Sequence, residues 1–384
     1  MKNVLLIGIY GVYNYGCEAI VRGTVNILKQ MDSEIKVSYA SYNYDDDKKR
    51  LSGCDVTIIK RNLPKKWSYH NILRKCLSYL GIKYHVPFDS TNWVKGFDTV
   101  ISIGGDIYTI WPNNGYNRVL PIFLEKCQKK GLKYVLWGAS VGKFESNPEA
   151  LEFFKKHLAK VDLIVLREPE SVSYLKSLNI ENNVVLAPDP AFSVTELSKP
   201  KDISKIGTIG INLSPLSADY KYGNYDQATT LQADAIKRII DSLDVEIMLL
   251  PHVVKTHVWD DDYVYMADIY NKMPEEYRKR ISMVDDDPQF IGIKKHIDKC
   301  DFVIAARMHC AINAITRGCP TIFLSYSEKA KGMAEFVYGN RMAVINLNCF
   351  EDTKTLTGMI QNWEHQIQYD KIKGFNYKKL FLGI

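Results

Sequence analysis

No apolar run in the 384-residue sequence approaches the roughly 20 residues that a membrane-spanning helix needs. The opening stretch, MKNVLLIGIYGVYNYGCEA, is too short in its apolar core for a signal peptide and reads as a first β-strand. The eight cysteines (17, 54, 76, 127, 300, 310, 319 and 349) contain no CxxC pair and no regular spacing. They read as buried free thiols of a reducing cytoplasm rather than as disulfide partners or metal ligands. Glycine (23) and proline (14) are thinly spread, which excludes collagen-like and low-complexity chains, and the 46% hydrophobic content excludes disorder. There is no GxGxxG, no short-period repeat and no recognisable nucleic-acid motif. One absence is local. Residues 60–86 contain no Asp or Glu but seven Lys or Arg, so a chain of net charge +6 is nearly neutral outside this single segment.

What is present is an alternation of short apolar runs and helical patterns. Strands are expected at 3–9, 34–40, 55–59, 98–103, 133–138, 162–166 and 183–186, and in a second series near 206–212, 245–250, 280–284, 301–304, 321–325 and 342–346. Runs of four to eight apolar residues bounded by Gly, Pro and Asp suit strands buried on both faces of parallel sheets. Helical periodicity between them, including 68–80, 288–299 and 352–369, predicts doubly wound α/β units. The polar stretch 193–206, with Pro200, separates the series. The expected organisation is two Rossmann-like domains facing a cleft, at 1–198 and 199–370, followed by a basic aromatic tail at 371–384.

In such sheets ligands bind beyond the carboxyl ends of the strands. After the first strand, the loop with Asn14, Gly16 and Glu18 brings backbone and a helix N-terminus within reach of a ligand, or is simply a glycine-rich turn. Gly104 and Gly105 precede Asp106, which either points at substrate or caps a turn. Arg167 follows the strand DLIVL and meets either an anion or a neighbouring acid. Asp189, between two prolines, reads as part of a rigid turn. The most specific cluster is in the second half, where Arg307 and His309 open a helix and Lys329 stands one β-α unit later. A guanidinium fork, an imidazole and a helix N-terminus together suit an anionic ligand. His252, after VEIMLL and Pro251, is a further candidate. The acidic triplets Asp45–Asp47, Asp260–Asp262 and Asp285–Asp287 lack the spacing of metal sites and read as solvated turns and N-caps.

Seven stretches, in order, carry a resemblance. They are Asn14-Tyr-Gly16-Cys-Glu18-Ala19, Ser102-Ile-Gly104-Gly105, Gly138-Ala-Ser-Val-Gly142, Arg167-Glu168-Pro-Glu-Ser171, Asp189-Pro190-Ala191, Arg307-Met-His309 and Tyr326-Ser-Glu-Lys329-Ala-Lys-Gly332. Together they resemble the polysaccharide pyruvyl transferases across most of the chain. The resemblance implies a GT-B-like pair of domains, phosphoenolpyruvate as donor and co-substrate, no metal or other cofactor, and a sugar hydroxyl pair as acceptor. It associates Arg307 and His309 with donor binding and catalysis, and maps a second element onto Tyr326, Lys329 and Gly332. Two departures are Asp106, where many relatives carry a third Gly, and Ser214-Pro215, where an Arg is often expected.

The implied chemistry makes His309 the proton-transfer residue and Asp106 or Glu18, from the facing domain, the group that activates the acceptor hydroxyl. Arg307, Lys329 and Arg167 would meet the donor's carboxylate and phosphate. A nucleotide-sugar glycosyltransferase and a non-catalytic glycan-binding relative are the alternatives. The acceptor is expected to be a glycan, free or linked to a polyprenyl diphosphate, and the protein cytoplasmic. In the basic segment, Ile72, Leu73, Cys76, Leu77 and Leu80 share one helical face. That helix either packs on the first domain or meets the anionic inner face of a membrane.

Overall fold

The computed structural model describes residues 1–61, 67–82, 84, 91–111, 113–254, 259–284, 286–325 and 328–381. Each expected strand forms. They are β1 (Asn3–Ile7), β2 (Lys36–Ser41), β3 (Thr57–Lys60), β4 (Thr99–Ile103), β5 (Lys133–Ala139), β6 (Leu163–Leu166), β7 (Val184–Leu186), β8 (Thr208–Asn212), β9 (Glu246–Leu249), β10 (Ile281–Met283), β11 (Phe302–Ala305), β12 (Thr321–Ser325) and β13 (Val344–Asn346). All their pairings are parallel. The first sheet runs β3-β2-β1-β4-β5-β6-β7 and the second β10-β9-β8-β11-β12-β13. Central strands such as β4 and β12 are buried along their whole length, as their unbroken apolar runs require. Each sheet reverses its strand order once, between β1 and β4 and between β8 and β11, where the open crevice of a doubly wound fold lies.

Several boundaries differ from the sequence expectation. The chain divides into one unit of Met1–Val12, Ile20–Pro190 and Asn376–Ile384, and a second of Tyr13–Ala19 and Ala191–Phe375. The boundary therefore falls at Pro190 rather than 198. Tyr13–Ala19, expected in the first domain, belongs to the second because its backbone is tied there: Asn14 bridges Val253, and Tyr15 N–H donates to the His252 carbonyl at 2.9 Å. The tail docks on the first unit through Tyr377 and Phe381, whose rings lie 5.8 and 5.5 Å from that of Trp137.

Among the helices, the pattern over 352–369 forms only Thr353–Gln361. Asn362 caps its end by donating Nδ2 to the Gly358 carbonyl at 2.9 Å, and Trp363 beyond it packs T-shaped with Phe302. Among the described residues, five α-helices fall outside the expected patterns, of which Glu275–Arg278, Tyr369–Lys373 and Tyr377–Leu380 are short. Tyr44–Arg50 starts on the first acidic triplet, and Pro215–Tyr222 has Pro at its first turn and the Ser214 side chain accepting from Ser217 N–H. The 288–299 pattern splits into Gln289–Gly292 and Lys294–Ile297.

The acidic triplets are not simply solvated. Asp47 is fully buried and accepts from Val12 N–H at 2.9 Å and Ser41 Oγ at 2.6 Å, which pins the loop after β1. Asp262 is likewise buried, and so is its neighbour Asp261, which caps the helix Asp262–Asn271 as expected. Of the third triplet, Asp285 lies outside the described residues and Asp287 accepts from Tyr15 Oη at 2.6 Å. Cys127, Cys300, Cys310 and Cys319 are buried, but Cys76 and Cys349 are exposed.

Candidate functional site

At the switch point of the second sheet, β8 ends in Asn212 and β11 in Ala305, paired side by side. Asn212 acts as a bracket. Its Oδ1 accepts from Arg307 N–H at 2.8 Å, and its Nδ2 donates to the Leu250 carbonyl at 2.9 Å and to Asp262 at 3.2 Å. Arg307 is thereby held in extended backbone as the N-cap of the helix Met308–Thr316. Its side chain reaches Asp262 through Nε at 3.1 Å and Nη2 at 2.7 Å, and Asp260 through Nη2 at 2.5 Å.

Asp262 also accepts from the backbone N–H groups of His252 and Val253 at 3.0 and 3.1 Å. A buried carboxylate with this many donors is satisfied rather than strained. Burial alone would weaken the charge on Arg307, but Asp262 and Asp260 outweigh it and hold the guanidinium above its ordinary pKa. The fork is thus permanently charged and fixed in place. Nε and Nη2 face the aspartates, and Nη1 makes no hydrogen bond among the described residues.

Two histidines accompany it. His252 is buried, and its Nδ1 lies 3.2 Å from the Leu250 carbonyl, so Nδ1 carries the proton and Nε2 is left as an acceptor. Nε2 has no hydrogen-bond partner among the described residues. Burial, with His309, Arg307 and Lys294 nearby, pushes the imidazole down to about 3, so it is neutral across the physiological range. His309 sits in the first turn of its helix against Gly16, where an added Cβ would run into the imidazole. Asn14 shapes that turn by accepting from Gly16 N–H at 2.9 Å. Glu18 is fully buried and accepts from Phe290 N–H at 3.1 Å. Asn14, Gly16, Glu18, His252, Arg307 and His309 therefore all belong to the second unit. The expectation that Glu18 reaches in from a facing domain is corrected: Tyr13–Ala19 crosses over in sequence and is built into the unit that holds His309.

The first unit carries its own cluster at the ends of β4, β5 and β6. Arg167 is almost wholly buried; its Nη1 donates to Asp189 at 2.9 Å and its Nε and Nη2 to Ser140 Oγ at 3.1 Å. Gly105 lies so close that a Cβ would come within 2.5 Å of Arg167 Nη2. Asp106 is exposed, near enough to Arg167 to reinforce its charge, and its carbonyl accepts from Thr109 Oγ1 at 2.9 Å. Gly104 takes a positive φ of 125° against Ile107. Asp189 therefore does serve the turn, but as the counter-ion of Arg167.

The model of one family, polysaccharide pyruvyl transferase, matches residues 14–328 of the chain. The chain belongs to the polysaccharide pyruvyl transferase family. No curated protein matches it. Among solved structures, a UDP-GlcNAc 2-epimerase from Neisseria meningitidis, bound to UDP-GlcNAc, is similar at 12% identity and a TM-score of 0.56, over 94% of this chain and 92% of that one. The lipopolysaccharide outer core galactosyltransferase WaaB is similar at 14% identity and 0.54, over 99% and 98%. A UDP-GlcNAc 2-epimerase from Methanocaldococcus jannaschii gives 11% and 0.56, over 97% and 96%. These likenesses establish the fold, the α/β two-domain architecture of GT-B enzymes.

In this pyruvyl transferase family member, Arg307, His309 and His252, each a candidate from the sequence, lie together in the second unit on a scaffold that the sequence did not reveal. Asp260, Asp262 and Asn212 hold the arginine, and only their placement after β8 and β9 hinted at it. Tyr326 lies outside the described residues. Lys329 falls in the helix Glu328–Tyr338, with its side chain outside the description, and Gly332 is buried in the same helix. Among the described residues, no group of three His, Cys, Asp or Glu is placed to hold a metal ion. None of their helices is long and apolar enough to cross a membrane.

Proposed function

We propose that this chain transfers the three-carbon unit of phosphoenolpyruvate to two hydroxyls of one sugar, forming a pyruvate ketal on a lipid-linked polysaccharide precursor. The observation that carries this reading is the fixed, charged Arg307 fork beside His309 at the mouth of the helix Met308–Thr316, in a member of the pyruvyl transferase family. Two aspartates hold two edges of the guanidinium, which leaves Nη1 to meet a carboxylate or phosphate oxygen. Lys329 is the second cation assigned to the donor.

The reaction begins with proton transfer to the methylene carbon of phosphoenolpyruvate, assigned to His309. One sugar hydroxyl adds to the adjacent carbon and loses its proton. The carbon–oxygen bond to phosphate then breaks, and the second hydroxyl closes the ring and releases the other proton. The products are the ketal and inorganic phosphate. His252, pushed down to about 3, is too weak a base to take a hydroxyl proton. Its buried Nε2 instead accepts a hydrogen bond and orients a ligand hydroxyl. Of the two carboxylates expected to activate the acceptor, Glu18 is buried and accepts from Phe290 N–H, which does not suit it to that role.

The test is phosphate release from phosphoenolpyruvate that depends on an added glycan, with a product heavier by about 70 Da, the mass of pyruvic acid less water. Thermal stabilisation by UDP and not by phosphoenolpyruvate, with no such product, would assign the site to a nucleotide sugar instead.

A further inference from the structure

The eleven-residue helix Tyr69–Tyr79 contributes no buried residue to the core and none to the site. Projected at 100° per residue, Tyr79, Ile72, Cys76, Tyr69, Leu80, Leu73 and Leu77 fill one half of its circumference, and Arg74, Ser78, Asn71 and Lys75 the other. Such a division normally buries the apolar half against a domain. Here no residue of the helix is buried. Trp67, Tyr69, Tyr79 and Leu80 are 79, 72, 79 and 72% exposed, and Ile72 and Ile82 are exposed as well. The helix is itself well formed: Ser68 caps it by accepting from Asn71 N–H, and His70 is 2.8 Å from Tyr84 Oη. The expectation that it packs on the first domain is therefore corrected. Apart from the half-buried Leu73 and Leu77, its apolar face stands in solvent.

We propose that this face is a docking surface for an anionic phospholipid bilayer, on which the helix lies parallel to the surface. Three observations select this occupant. The patch is large and aromatic, the kind of surface a monomer seldom exposes without a partner. Its exposed aromatics, Trp67, Tyr69 and Tyr79, suit the boundary between headgroups and acyl chains. Finally, residues 60–86 hold seven basic residues and no acid, with Arg74 and Lys75 exposed along the polar half, where they can reach headgroup phosphates as the apolar half inserts. Two copies facing each other through the same surface would set like charge against like charge.

The experiment is co-sedimentation of the full chain with vesicles of phosphatidylglycerol and phosphatidylcholine, compared with phosphatidylcholine alone. Binding is expected only to the anionic vesicles and is expected to weaken with salt. Each basic residue near such a surface contributes about a fivefold factor in affinity. The double variant Arg74→Gln, Lys75→Gln should therefore bind roughly 25-fold more weakly. Tyr69→Ser, Tyr79→Ser and Leu80→Ser together should abolish sedimentation while leaving the circular-dichroism melt unchanged, because none of these side chains is buried. Failure to sediment with anionic vesicles, equal binding to neutral ones, or binding that survives both sets of substitutions overturns the proposal. So does self-association through the helix without vesicle binding.

Discussion

Arg167 and Arg307 make the same kind of bond in different surroundings. Each follows a strand end of a parallel sheet, and each pairs with a fully buried aspartate, Asp189 or Asp262. Arg167 is 2% exposed and its fork is divided between Asp189 and Ser140, so its directional bonds are spent inside the unit. The Arg307 side chain is 12% exposed, has a second carboxylate in Asp260, and leaves one nitrogen uncommitted next to two histidines. The pairing alone does not tell a structural knot from a site. Access and company do. A buried pair is weak evidence for stability as such, but breaking it is costly because the remaining partner becomes an uncompensated charge.

The contrast can be broken at four points. Arg167→Ala should cost about 3–5 kcal/mol in urea unfolding, with Asp189 left alone in the interior, and the double variant Arg167→Met, Asp189→Leu should recover much of it. Retention of the wild-type midpoint by the single variant would remove Arg167 from the role of structural knot. His309→Ala should do the opposite: turnover of phosphoenolpyruvate falls by roughly 10²–10⁴-fold, about 3–5 kcal/mol in barrier, with the unfolding midpoint unchanged. Wild-type turnover in that variant would take proton transfer away from His309.

Gly16→Ala is intermediate, since the new methyl must displace the imidazole. A loss of about 1–3 kcal/mol in stability is expected, together with a fall in turnover larger than that loss explains. The fourth effect is in pH. His252 is neutral in the folded chain down to about pH 3, whereas in the unfolded chain it binds a proton below about 6.5. Its contribution is fully present above pH 6.5 and declines as the pH falls toward 3, by at most about 1.4 kcal/mol per pH unit. Unfolding titrations from pH 7 to pH 4 should show a shallower slope for His252→Gln than for the parent chain.

Where sequence reading succeeded, the signal was local. The thirteen strands were legible as short runs rich in apolar and β-branched residues that end where the chain turns; the central ones, such as β4 and β12, are buried on both faces. Arg307 and His309 were legible because they lie two residues apart at a strand exit. The reading failed where meaning depended on distance. Asp262 is 45 residues from Arg307 in sequence, and Asp47 is 35 from Val12. Nothing within either triplet singles out the member that is fully buried. The helix at 353 is shorter than its pattern because Asn362 caps it locally, donating Nδ2 to the Gly358 carbonyl at 2.9 Å.

The α/β alternation, the two-sheet plan, the order of the strand-end motifs and the single basic segment can all be read from the chain, since each is written in a window of a few turns or strands. Only the tertiary structure decided that Tyr13–Ala19 belongs to the second unit, that Arg307 is clamped by aspartates, that Arg167 is sealed, and that the apolar face of Tyr69–Tyr79 stays exposed. The physical reason is common to all four. Hydrophobic periodicity fixes which face of an element is apolar, but burial and charge pairing depend on which distant surfaces meet it.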